Sequence, residues 1–247
     1  MITTFNTTDS TLTAIEAALP INPQPYTVGA RSTGLIIVDV VNGFCTVGCG
    51  ALAPTEPNPQ IEKMISESNR LAQAFVAKKM PILAFLDSHE PGKPEPPYLP
   101  HCEKGSGDEK LVPKLEWLET HPQVTLIEKD CINGFIGSID IKTGQNSLIE
   151  WVNHLQLEAL VVVGICTDIC VMDFVVTMLS ARNHDMTPTL KEIVVYTEGC
   201  STFDLSAEMA INLGLPKTAI HPQKIAHHIG LYTMAERGAF LADSVLV

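Results

Sequence analysis

Long apolar runs are missing from this sequence. Its uninterrupted hydrophobic stretches, such as residues 159–163, are short, far below the ~20 residues a membrane span needs. No contact with membrane is therefore expected. Basic residues are scarce, with 16 Lys and Arg against 28 Asp and Glu and a net charge of -12. A field of that sign repels phosphate backbones, so nucleic acid is not an expected partner. It places no restriction on a small neutral substrate. The first twenty residues contain Asp9 and Glu16 but neither Lys nor Arg. A secretory leader has the opposite charge, so none is expected. The seven cysteines include no pair of C-x-x-C motifs, which argues against a structural zinc site. An odd count in a chain of this size reads as reduced thiols in a cytoplasmic protein, most of them buried packing residues. Glycine-rich nucleotide loops are missing too, because Gly48-Cys49-Gly50 is not followed by a helix pattern.

What is present is a core. Hydrophobic residues make up 45% of the 247 positions and charged residues 18%, a balance typical of globular domains. From Gly34 onward, strand-length apolar runs (35–40, 81–86, 124–128, 159–165 and 193–196) alternate with amphipathic segments of helix length (61–78, 147–155, 168–182, 207–213 and 222–236). Nearly continuous Val/Ile/Leu runs indicate strands buried on both faces. The expected fold is one three-layer α/β/α domain with a mostly parallel sheet over residues 31–247. Residues 1–30 are Thr-, Asn- and Pro-rich and read as an N-terminal extension with a short helix near 12–19. Five prolines between Glu90 and Pro100 exclude helix and central strand and leave a rigid, irregular loop.

In an open parallel sheet, ligands gather at the carboxyl ends of the strands. Asp39 interrupts the first apolar run, Asp87-x-His89 ends the second, Lys129 the third, and Gly164-Ile165-Cys166-Thr167-Asp168-Ile169-Cys170 the fourth. Alone, Asp39 fits a turn cap as well as a carboxylate held in a cleft. Alone, Cys170 fits a small core residue as well as a nucleophile. Together these residues describe a site. If Thr167 or Asp168 caps the following helix, Cys170 falls in its first turn. The helix dipole and a nearby Lys129 would then favour a thiolate. The pair Asp87 and His89, with His101 beyond the Pro-rich loop, reads as carboxylate and imidazole ligands for zinc, with manganese or iron(II) as alternatives. Other histidines read as structural. His184 sits at a helix end, His227 and His228 diverge by about 100° on a helix, and His121, His154 and His221 lack an acidic neighbour at metal spacing. Cys45 and Cys49 fall near the first strand's loop, while Cys102, Cys131 and Cys200 read as packing residues.

The segments GLIIVDVVNGFCTVG at 34–48, LAFLDSHEP at 83–91, PPYLPHC at 96–102, EKDCINGF at 128–135 and VVVGICTDICV at 161–171 resemble the nicotinamidases of the isochorismatase-like cysteine hydrolases, the plant type most closely. The resemblance runs over roughly residues 31–240. It implies a catalytic triad of Asp39, Lys129 and Cys170, oxyanion donors at the amides of Cys166 and Cys170, and a cis peptide at Ile165–Cys166. It also implies a divalent metal on Asp87, His89 and His101, and aromatic walls at Phe44 and Tyr98. Many members carry a third histidine in the metal loop, and this chain has none there. Glu95 takes that place by position, with Glu90 second. The implied reaction is hydrolysis of nicotinamide to nicotinate and ammonia, a step of NAD salvage, through a thioester in a cytoplasmic homo-oligomer. Lys129 would lower the pKa of both Cys170 and Asp39. Two alternatives remain open at this point: a metal-independent amidohydrolase of ureido or carbamoyl compounds, and a non-catalytic thiol or metal-binding protein.

Overall fold

A computed structural model describes residues 7–247 apart from Pro94 and Pro97. Its strands are β1 (Gln24–Thr27), β2 (Thr33–Val38), β3 (Ile82–Asp87), β4 (Val124–Lys129), β5 (Ala159–Ile165), β6 (Glu192–Ser201) and β7 (Phe240–Leu246). The helices are α1 (Thr7–Ala18), α2 (Asn42–Cys45), α3 (Pro59–Ala77), α4 (Gly134–Gly137), α5 (Ser147–His154), α6 (Met172–Asn183), α7 (Ala207–Asn212) and α8 (Gln223–Glu236). Among the described residues the strands form one seven-stranded sheet in the order β1-β7-β6-β5-β2-β3-β4. Every neighbouring pair is parallel.

The apolar runs of β2, β3 and β5 are buried along their whole length, and their alternation sorts residues between two layers. Leu35 and Ile37 face α3, whose Ile61, Met64, Leu71 and Phe75 form one apolar stripe. Ile36 and Val38 face the other way, toward Leu148 and Val152 of α5, Phe174 and Met178 of α6, and Leu231 of α8. Each such side chain stabilises the fold by roughly 1.5–3 kcal/mol on burial. Helix α3 starts where Asn58 accepts from the amides of Gln60 and Ile61, with Pro59 at the first helical position.

Three features differ from the sequence expectation. Strand β1 lies inside the segment read as an extension. It is a short, largely exposed edge strand and has no apolar run to announce it. Strand β7 was hidden by Asp243 and Ser244 within its alternation. The helix expected from residue 168 begins instead as a π-type turn at Thr167–Val171, and α6 follows from Met172. Residues 1–6 of the expected extension and two prolines of the Pro-rich loop lie outside the described residues.

The topology positions the site. From β2 the chain moves outward to β3 and β4, and later from β5 outward to β6 and β7 in the opposite direction. The switch point therefore falls between β2 and β5, where a crevice opens at the strand ends. Gly164, with φ +132°, lets these two strands close up. A Cβ there would lie 2.1 Å from the Val38 carbonyl oxygen.

Candidate active site

Asp39 is the first residue beyond β2. It is fully buried, with φ at 53°, a left-handed conformation Asp tolerates better than most residues. Asp87 and Lys129 are the last residues of β3 and β4 and stand in register. The Lys129 ammonium is thus held between two carboxylates. Its Nζ lies 2.9 Å from Asp39 Oδ2 and 2.8 Å from Asp87 Oδ1. Neither carboxylate oxygen of Asp39 has a well-directed hydrogen bond. Acceptor capacity is left for the Cys170 thiol, which lies beside it. Cys170 sits in the turn after β5, and the Ile165–Cys166 peptide bond before it is cis.

The electrostatics correct the sequence reading. Burial pushes the Cys170 thiol well above its ordinary range. Lys129 acts against this, and the Asp39 charge reinforces it. At this thiol desolvation outweighs the cation. Lys129 lowers the Asp39 carboxyl as expected, but burial outweighs it. Burial raises the Asp39 carboxyl to about 6, opposed by Lys129 and assisted by Asp87. The expected helix cap is also absent. The Thr167 hydroxyl meets His227 Nδ1 at 2.8 Å, and the Asp168 carboxylate turns to Thr202 and His221.

A second group adjoins the first through Asp87. One ligand atom each from Asp87, His89, Glu95 and His101 lies within 4.8 Å of all the others. His89 Nε2 and His101 Nε2 both point at Asp87 Oδ2, at 3.0 and 3.1 Å. The Glu95 carboxylate closes the cluster at 3.6 and 3.5 Å from the two rings. Glu90 turns away to Lys104 at 2.8 Å. His101 Nδ1 donates to the Leu99 carbonyl oxygen at 2.7 Å, which leaves Nε2 as the ligating nitrogen. Two imidazoles and two carboxylates converging on one point fit a divalent ion.

Phe44 and Tyr98 flank His101, with ring centroids 5.5 and 6.1 Å away. Both line a cavity of about 440 Å³, together with Cys166, Cys170, Asp87, Glu95 and His101. The residues singled out for catalysis, metal and ring contact therefore gather around one space, with Asp39, Lys129 and His89 buried behind its lining. Two residues escaped the sequence reading. Phe203 also lines the cavity, and His221, set aside for want of an acidic neighbour, stands 2.8 Å from Asp168 Oδ2. That partner is 53 positions earlier in the chain, so no local spacing announces it.

A parallel α/β sheet with a buried Asp–Lys–Cys group at its switch point defines a class of cysteine-centred α/β domains. The chain belongs to the isochorismatase domain family, whose model matches residues 33–217. It is 51% identical over 214 residues to Nicotinamidase 1 of Arabidopsis thaliana, covering 87% of this chain and 86% of that protein. Nicotinamidase PncA from Bacillus subtilis shares the fold with a TM-score of 0.62 at 23% identity, covering 86% of this chain and 100% of the other. N-carbamoylsarcosine amidase from Thermoplasma acidophilum does so with a TM-score of 0.59 at 19% identity, over 85% and 95%. At such identities these two structures speak for the fold alone. No helix among the described residues is long and apolar enough to cross a membrane.

Proposed function

We propose that this chain is a nicotinamidase that hydrolyses nicotinamide to nicotinate and ammonia, a step of NAD salvage. The observation that carries the reading is the junction of the two groups. Asp87 touches both Lys129, beside Asp39, and the two histidines of the ligand cluster, so a thiol nucleophile and a ring anchor face one cavity. The half-identical Arabidopsis relative named for this activity supports it.

In the proposed mechanism Asp39 takes the Cys170 thiol proton as the amide enters, and the sulfur attacks the carboxamide carbon. The raised Asp39 carboxyl suits this role, since a base near its operating pH transfers protons most effectively. The amides of Cys166 and Cys170 hold the developing oxyanion, each donor contributing on the order of 3 kcal/mol. Asp39 then gives its proton to the departing ammonia. Water, deprotonated by Asp39, attacks the thioester carbon, the C–S bond breaks to give nicotinate, and Asp39 returns the proton to the Cys170 sulfur. Lys129 keeps both carboxylates in place and offsets part of their charge. Phe44 and Tyr98 stack against the pyridine ring. Asp87, His89, Glu95 and His101 would hold a divalent ion, zinc first, with manganese or iron as alternatives. When bound, such an ion supplies a coordination position for the pyridine nitrogen and so orients the ring.

This mixed ligand set is what favours a pyridine carboxamide over a linear ureido or carbamoyl substrate, which has no ring nitrogen to engage it. The proposed unit is a cytoplasmic homo-oligomer, with residues 31–247 as the hydrolase domain and residues 1–30 as an extension. The test is ammonia release from nicotinamide with added zinc, manganese or iron(II), compared with a linear ureido substrate. Preference for the ureido compound would overturn the reading.

A further inference from the structure

A second polar cluster lies behind the cavity, outside both groups described so far. Asp168 accepts from the Thr202 hydroxyl at 2.7 Å and faces His221 Nε2 at 2.8 Å. His221 Nδ1 lies 2.9 Å from the Phe203 carbonyl oxygen. Both partners are acceptors with no proton to give, so both ring nitrogens carry protons and the ring is an imidazolium. Desolvation works against that charge, but the hydrogen bond and charge of Asp168, the Phe203 carbonyl and the Asp204 carboxylate together raise the His221 pKa. Across the turn, His227 of α8 is half-buried, and desolvation holds its pKa down to about 4, so it adds no competing cation.

The imidazolium stacks on the Phe203 ring, with centroids 3.9 Å apart and planes inclined by 14°. Phe203 lines the cavity and His221 does not, so the cation backs the phenyl ring from outside. Leu205 and His221 exchange two backbone hydrogen bonds of 2.9 Å, which fixes the segment just beyond Phe203. On the far side α8 presses on the same turn. A Cβ on Gly230 would lie 2.7 Å from Asp168 Cα.

We propose that the Asp168–His221 ion pair is a positioning couple that holds Phe203 as a third aromatic wall of the cavity, selecting flat rings, and ties that wall to the turn carrying Cys166 and Cys170. The choice of pyridine carboxamide as the ring rests on the proposed function; the wall does not. Neither Asp168 nor His221 touches the reacting atoms, so both act through Phe203 and the turn.

Nitrogen-15 NMR of the imidazoles at pH 7.5 gives the first test, on unmodified protein and without substrate. His221 is expected to carry protons on both nitrogens, and Asp168→Asn to return it to the neutral form. A neutral His221 in the wild type would overturn the couple. The second test is a double-substitution cycle. Phe203→Leu is expected to raise the KM for nicotinamide about tenfold, with a much smaller change in kcat. His221→Gln should do the same, and the double variant should be no worse than either single one. Phe203→Tyr should keep the wild-type KM. Effects that add, or an unchanged KM in His221→Gln, would reduce the pair to a purely structural role and overturn the proposal. A wild type inactive on nicotinamide but with a doubly protonated His221 would refute the proposed substrate and leave the couple standing.

Discussion

Asp39 and Asp87 end neighbouring strands and lie 2.9 and 2.8 Å from the same Lys129 ammonium, yet their chemistry diverges. Asp39 has no further well-directed donor and is sealed from water, so its carboxyl rises to about 6. Asp87 is buried almost as deeply, which by itself would raise its carboxyl too. Lys129 and the rings of His101 and His89 override this and hold it far below the ordinary range. One lysine thus stands between a carboxyl pushed up to about 6 and one held far below the ordinary range. Lys129 lowers both, and the two histidine rings add to its effect only at Asp87.

The largest effect is expected on removing the cation that the two carboxylates share. Lys129→Met would leave both buried without their cation, a loss of about 3–5 kcal/mol, read as a large fall in the denaturation midpoint. Asp39→Asn should keep the fold and lower kcat by about 10²–10⁴, the usual contribution of a general base, measured as ammonia release. Stability against pH separates the two aspartates by sign. Asp39 has a folded-state pKa above its unfolded value near 4. Between about pH 4 and 6 the folded state therefore holds the extra proton, and this residue makes stability fall as pH rises. Asp87 has the opposite displacement. Its contribution is present above about pH 4 and is lost on acidification through its depressed folded value. Relative to wild type, Asp39→Asn should change the pH slope between about 4 and 6 and Asp87→Asn the slope below about 4; parallel melting curves from about pH 2 to 7 would erase the distinction. In the wild type kcat/KM should rise with pH through about 6, as Asp39 loses its proton. The smallest expected effect is at the edge of the ligand cluster. Glu95→Ala should weaken metal retention in elemental analysis while leaving the denaturation midpoint nearly unchanged, because Glu95 stands farther from the rings than Asp87 does.

Much of this arrangement is legible in the sequence, for a physical reason. Strands buried on both faces must be apolar throughout, so Asp39, Asp87, Lys129 and Cys170 stand out as interruptions at their ends. The edge strand β1 has no such contrast, and β7 mixes polar residues into its run. Protonation states were the least legible. The lysine and the helix start suggested an ionised thiol, but desolvation depends on how completely the site is sealed, and that emerges only from packing. His221 was missed for a related reason. Its acid comes from a turn in a different part of the chain, brought near by the sheet and by the close seat of α8 on Gly230.

In the proposed mechanism Cys170 is the nucleophile and Asp39 its base. Ammonia release from nicotinamide by folded Cys170→Ala tests it most directly. The expected result is no turnover above the uncatalysed rate, alongside an active wild type and an unchanged melting curve. Turnover comparable to wild type in that variant would remove Cys170 from the chemistry.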